Sequence, residues 1–179
     1  MTLLKITQLG HPILLQRARE IEDVDDPAML DLGHSMVETM LDAGGVGLAA
    51  PQVYRDLRMI AVLPIARRGD TEEVEPLVIV NPVLEPIGEE LVSELEGCLS
   101  IPGLRGKVPR HRHVGYSGLD LEGRPIAGEA KDFFARVLQH EVDHLDGILF
   151  LMRMTDLRSL STLGELHHQL SDEAPEETT

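Results

Sequence analysis

Residues 130–145 read AKDFFARVLQHEVDHL, in which Phe133, Phe134, Val137, Leu138 and Leu145 recur at helical spacing. Asp146-Gly147 follows and predicts the helix stop. The same run contains His140-Glu141-Val142-Asp143-His144. Residues four apart sit one helical turn apart, with Cβ atoms about 5–6 Å from each other. Both imidazoles can therefore reach one metal ion at roughly 2.0–2.1 Å. Glu141 projects from an adjacent part of the helix surface, where it can touch a water on that ion without being a ligand. The plainer alternative is two surface histidines on a charged helix, since the pattern also arises by chance.

A catalytic ion with three protein ligands keeps its fourth position for water, so a third ligand must come from elsewhere. The single cysteine, Cys98, stands in Glu96-Gly97-Cys98-Leu99-Ser100. By default a lone cysteine is a small buried hydrophobe. This one has glycine and serine about it rather than an apolar run, and Gly97 lets backbone approach closely. A coordinated thiol loses its proton, which would make Cys98 a bound anion and not a free nucleophile. Gln52 closes the small-residue segment Gly45-Val46-Gly47-Leu48-Ala49-Ala50-Pro51-Gln52, read as a turn. Its side-chain amide could donate to an oxyanion, though spacing alone does not separate it from an ordinary loop glutamine. His111 and His113 would share one strand face with no third ligand nearby, and His167 and His168 read as surface residues.

Away from these motifs, Asp26-Pro27 predicts a helix start, an oxygen cap before proline. Met29, Leu30, Met36, Val37, Met40 and Leu41 continue that helix to Gly44-Gly45. Met59 to Leu63 and Leu77 to Val83 read as buried strands, and residues 67 to 76 as an exposed charged loop. Glu85 to Glu94 suggests a hairpin turning near Gly88. Leu104 to Pro109 and Val114 to Leu121 read as short strands, Glu122 to Pro125 as a turn, and Asp156 to Leu170 as a last helix. Strands in neighbouring runs favour an α+β fold, with antiparallel or mixed sheets around the histidine-bearing helix, over a doubly wound one. One domain over residues 1–170 and an acidic disordered tail, 171–179, are expected for 179 residues.

Sixteen Lys and Arg against 31 Asp and Glu give a formal charge of −15. Such a surface disfavours a general nucleic-acid clamp and anionic membranes. The densest basic run, Arg105, Lys107, Arg110 and Arg112, reads as a solvated strand face. No intramolecular disulfide can form, Met1 to Leu15 lacks a signal-peptide h-region, and Met59 to Ala66 is too short to cross a bilayer. A cytoplasmic protein is expected.

Together, Gly45 to Gln52, Glu96 to Ser100 and His140 to His144 resemble, in order and spacing, the G-x-G-L-A-A-x-Q, E-G-C-L-S and H-E-x-D-H motifs of the peptide deformylases, over roughly residues 4 to 157. The resemblance is to the shorter, Gram-negative-like branch. It implies that Cys98, His140 and His144 bind a divalent metal, Fe²⁺ in the native enzyme with Zn²⁺, Ni²⁺ or Co²⁺ as substitutes. It implies that Glu141 is general base and acid, and that Gln52 and the Leu99 N–H form the oxyanion hole. Gly47 and Gly97 would pair with an extended peptide, the formyl-methionine end of a nascent chain. Val46, Phe134, Val137 and Leu138 are candidate walls of a methionine pocket. Some members dock on the ribosome through a basic C-terminal helix. Here Leu157 to Leu170 offers only Arg158 before an acidic tail, which disfavours ribosome contact by that route. The same site chemistry would serve hydrolysis of another N-acyl group or an internal peptide bond. A non-catalytic binding protein with a structural metal is the third alternative.

Overall fold

A computed structural model describes residues 2–66 and 74–171. The expected charged loop therefore lies largely outside the described residues, as does all of the expected acidic tail except Ser171. Two sheets, both antiparallel, flank one helix. Strands β1 (Gly47–Ala49), β2 (Met59–Val62), β3 (Leu77–Pro86), β6 (His113–Leu119) and β7 (Pro125–Lys131) form a five-stranded sheet in the order β1-β2-β3-β6-β7. Strands β4 (Leu91–Cys98), β5 (Ile101–His111) and β8 (Ser161–Thr162) form a three-stranded sheet in that order. The α+β architecture is the expected one, and the histidine-bearing helix α2 (Asp132–Leu145) packs against elements of both sheets.

Strand β2 is buried on both faces, and alternation divides its residues between two cores. Ile60 and Val62 face a cluster with Ala135, Leu138 and Leu145 of α2. Met59 and Ala61 face a second cluster with Met36 and Met40 of α1 (Pro27–Asp42). Helix α1 begins as expected: the Asp26 side chain accepts from Ala28 N at 2.9 Å, and Pro27 occupies the first turn. A third cluster, with Leu14, Ile101, Val108 and Phe150, lies beneath the smaller sheet and includes Cys98.

Helix α2 starts at Asp132 rather than Ala130, because Ala130 and Lys131 are held in β7 by pairing with Val114 and His113. At its other end the buried Arg58 guanidinium donates to Leu145 O at 3.3 Å and to Asp146 Oδ1 at 2.7 Å. A cation there complements the negative end of the helix dipole.

Four expectations are corrected. Glu85 to Glu94 is not a paired hairpin: β3 pairs with β6 and β4 with β5, so the turn at Gly88 (φ 80°) carries the chain between sheets. His111 and His113 share no strand face, because the chain crosses back between them at Arg112. The turn read at Gly45 to Gln52 contains a strand, β1, whose Gly47, Leu48 and Ala49 pair with Val62, Ala61 and Ile60. Asp156 to Leu170 is not one helix. The Asp156 side chain accepts from Arg158 N at 3.0 Å and closes a single 3₁₀ turn at Leu157–Ser159. Ser161 and Thr162 then pair with Arg105 and Leu104, and only Leu166–Ser171 is α-helical within that segment.

Asn81 occupies the left-handed region (φ 50°) where the β3–β6 register shifts between Val80 and Val83. Its amide accepts from Ile21 N at 3.0 Å and donates to Ile21 O at 2.9 Å. Asn81→Ala removes both bonds and the residue type best suited to that φ. We expect a stability loss of about 2–3 kcal/mol by urea unfolding.

Candidate active site

Helix α2 presents His140 and His144 from successive turns, and their ring centroids lie 5.0 Å apart. Cys98 ends β4 and reaches the same point from the other sheet, with Sγ 3.2 Å from His144 Nε2. The ligand atoms of Cys98, His140 and His144 all lie within 4.8 Å of one another, and all three residues are buried. The expected trio thus converges. One sulfur and two imidazole nitrogens suit a borderline ion such as zinc or ferrous iron, and not calcium or magnesium, which favour oxygen. The donor set therefore fits a transition-metal ion.

Glu141 lies beside this cluster. Its Oε2 is buried and finds no hydrogen-bond partner among the described residues. Burial pushes its carboxyl up to about 7. Gly47 explains how the helix fits so close to β1: a Cβ there would lie 2.8 Å from Glu141 Cγ and closer still to Oε1. Gln52 is fixed at both ends of its amide. Ala49 N donates to Oε1 at 2.7 Å, while Nε2 donates to Ser100 Oγ at 3.2 Å and points at Cys98 Sγ from 3.5 Å. The donor end of the amide thus faces the cluster.

Sequence reading missed the residues that aim His140. His140 Nδ1 lies 2.9 Å from Glu96 Oε2. If Nδ1–H is given to Glu96, Nε2 keeps its lone pair for an ion. Arg110 grips Glu96 with both arms, Nε to Oε1 at 2.9 Å and Nη2 to Oε2 at 3.0 Å. Its Nη1 donates to Asp143 Oδ2. Arg136 donates to Glu96 Oε1 at 2.8 Å and to the carbonyls of Val108 and Val92. Burial opposes ionisation of Glu96, yet hydrogen bonds from His140 and Arg110 outweigh it and hold the carboxyl at about 2. Burial also drives His144 well below its ordinary range, which favours the neutral, ligand-competent ring. The expected solvated basic face is corrected at Arg110, which is 5% exposed and an ion-pair partner of Glu96. The available signal was the pair of acids beside the metal motifs, Glu96 two before Cys98 and Asp143 one before His144, which need buried cations.

A cleft opens on this cluster. Val46, Gly47, Gln52, Gly97, Leu99 and Glu141 all line it. Phe133 and Val137 form its apolar helix wall. Two expected pocket residues are corrected: Phe134 turns away to pack on Tyr116, with ring centroids 6.0 Å apart, and Leu138 is wholly buried in the core. A Cβ at Gly97 would overlap the Arg105 guanidinium, which lies across that strand end.

Residues 3–159 match the family model described as polypeptide deformylase. Peptide deformylase 1 of Bordetella pertussis is 46% identical over 155 residues, spanning 85% of this chain and 88% of that protein. Peptide deformylase 1 of Nitrosomonas europaea is 44% identical over 155 residues, spanning 86% of this chain and 88% of that protein. Among solved structures, the Met-Ala-Ser-bound class I type b peptide deformylase of Acinetobacter baumannii superposes with a TM-score of 0.79 at 38% identity. It covers 86% of this chain and 99% of that one. A match of this extent places the chain in the peptide deformylase family, metal-dependent enzymes that remove the formyl group from the N-termini of nascent peptides.

Proposed function

We propose that this chain hydrolyses the formyl amide of formyl-methionine at the start of nascent polypeptides, with residues 1–170 acting as one catalytic unit. The observation that carries the reading is the buried Cys98, His140 and His144 cluster with Glu141 beside it on the cleft, its Oε2 unpartnered among the described residues. Cys98, His140 and His144 hold one divalent ion, Fe²⁺ in the cell, with Zn²⁺, Ni²⁺ or Co²⁺ as substitutes. Such an ion supplies Lewis acidity and lowers the pKa of water from 15.7 towards about 7.

The remaining chemistry belongs to side chains and backbone. Glu141, poised by burial at about 7, takes a proton from the attacking water and delivers it to the departing amine nitrogen. The water oxygen bonds to the formyl carbon, the C–N bond breaks, and formate and a free amino terminus leave. Gln52 Nε2 and the Leu99 N–H receive the charge that builds on the formyl oxygen. Gly47 and Gly97 lie along the extended peptide, and Val46, Phe133 and Val137 receive the methionine side chain. The Acinetobacter protein is solved with Met-Ala-Ser bound, which supports a peptide beginning with methionine as the substrate class. Nascent chains are the partners in this reading. Contact with the ribosome is transient at most, given the charge of −15.

Iron-loaded, oxygen-protected enzyme should release formate from formyl-Met-Ala-Ser and leave acetyl-Met-Ala-Ser intact. Glu141→Ala should lower kcat by about 10²–10⁴ while keeping bound metal, and Gln52→Leu should lower it by about 10²–10³. No turnover by the loaded enzyme, or turnover indifferent to Glu141, sinks the proposal. For the metal site, Cys98→Ala and His144→Ala should abolish stoichiometric metal in elemental analysis. Glu96→Gln should weaken metal affinity about 10–100-fold in chelator competition, because His140 loses its anchor.

A further inference from the structure

The cleft has a wall that lies beyond the family match, which ends at residue 159. After the 3₁₀ turn at Leu157–Ser159 the chain folds back as β8, pairing Ser161 with Arg105 and Thr162 with Leu104. Leu163 N then donates to Gly103 O at 2.8 Å. This bond and the strand pairing fix where the Leu163 side chain stands. It lines the same cleft as Cys98 and Glu141, at the rim shared with Leu99, Pro102 and Gly103. Leu163 is nevertheless 52% exposed, an apolar face left open at the mouth of the site.

We infer that Leu163, with Leu99 and Pro102, forms a specificity subsite for an apolar side chain at the second residue of the peptide substrate. This inference rests on the deformylase reading and extends it outward along the peptide. Successive side chains of an extended peptide point to opposite faces. The methionine occupies the wall made by Phe133 and Val137 of α2, so the second side chain faces away from the helix. The rim on that side is built from the β4–β5 turn, the start of β5 and the residue after β8, which supply Leu99, Pro102 and Leu163 as apolar groups. Covering Leu163 with an aliphatic side chain removes apolar surface of both from water.

The test compares formyl-Met-Leu-Ser with formyl-Met-Gly-Ser on the full chain. The wild type should prefer leucine, chiefly through KM. Leu163→Ser keeps the backbone bond to Gly103 and should reduce that preference about three- to tenfold, in the range expected for a few lost methylene contacts. Leu163→Met should restore most of it. Leu157→Ala, which removes a 69% exposed leucine of the same segment that does not line the cleft, should keep the wild-type ratio. A Leu/Gly ratio unmoved by Leu163→Ser overturns the inference, and so does an equal fall with Leu157→Ala. Failure of the wild type to release formate from either peptide instead strikes the proposed function.

Discussion

Glu96 is a buried carboxylate surrounded by Arg110, Arg136 and His140. Burying so much charge is expensive, and such a cluster is weak evidence for stability in itself. What it supplies is register. Glu96 lies on β4, Arg110 on β5, and Arg136, His140 and Asp143 on α2. Satisfying every partner at once permits only one rotation and one height of the helix against the smaller sheet. That setting brings His140 and His144 to Cys98, two residues beyond Glu96. Arg153 closes the far end by pairing with Asp143 at 2.7 Å. The candidate metal ligands are thus placed from outside, by ion pairs that do not themselves belong to the candidate set.

The cleft follows from the chain crossing between sheets. Because β3 turns away at Gly88 and β4 begins a separate sheet, α2 is held between β1 of one sheet and β5 with the end of β4 of the other. Gly47 and Gly97 both lie on the gap, one facing Glu141 and the other Arg105. In each case a side chain from a neighbouring element occupies the volume a Cβ would need.

Local reading served well where function and structure coincide within a few residues. His140, Glu141 and His144 need only helical spacing, and Asp26-Pro27 needs only its own turn to start α1. Cys98 was reachable because a three-ligand site demanded a third donor, and only one cysteine exists. Reading failed where pairing partners are distant. Arg110 looked like a strand-surface cation, and nothing adjacent reveals that Glu96 and Asp143 wait for it 14 and 33 residues away. Phe133 and Phe134 are neighbours of equal hydrophobicity, so which one meets the cleft depends on the start of α2, and that start is set by β7 pairing rather than by periodicity. The C-terminal segment fared worst, because Ser161 and Thr162 become a strand only through β5.

Arg110, Arg136 and Arg153 answer Glu94, Glu96 and Asp143, three cations to three acids, so the anchoring layer comes close to neutral without help from the cleft. Cys98 and Glu141 are left outside that balance, one a potential anion and the other a carboxyl lifted to about 7 by burial. A divalent ion held by Cys98, His140 and His144 would meet negative charge that the arginine layer leaves uncompensated. The same unpaired Glu141 oxygen is then free to accept a proton, since every other buried acid of the layer is committed to an arginine. Pairing within that layer accounts for three arginines standing behind two histidines in a chain that is otherwise strongly acidic.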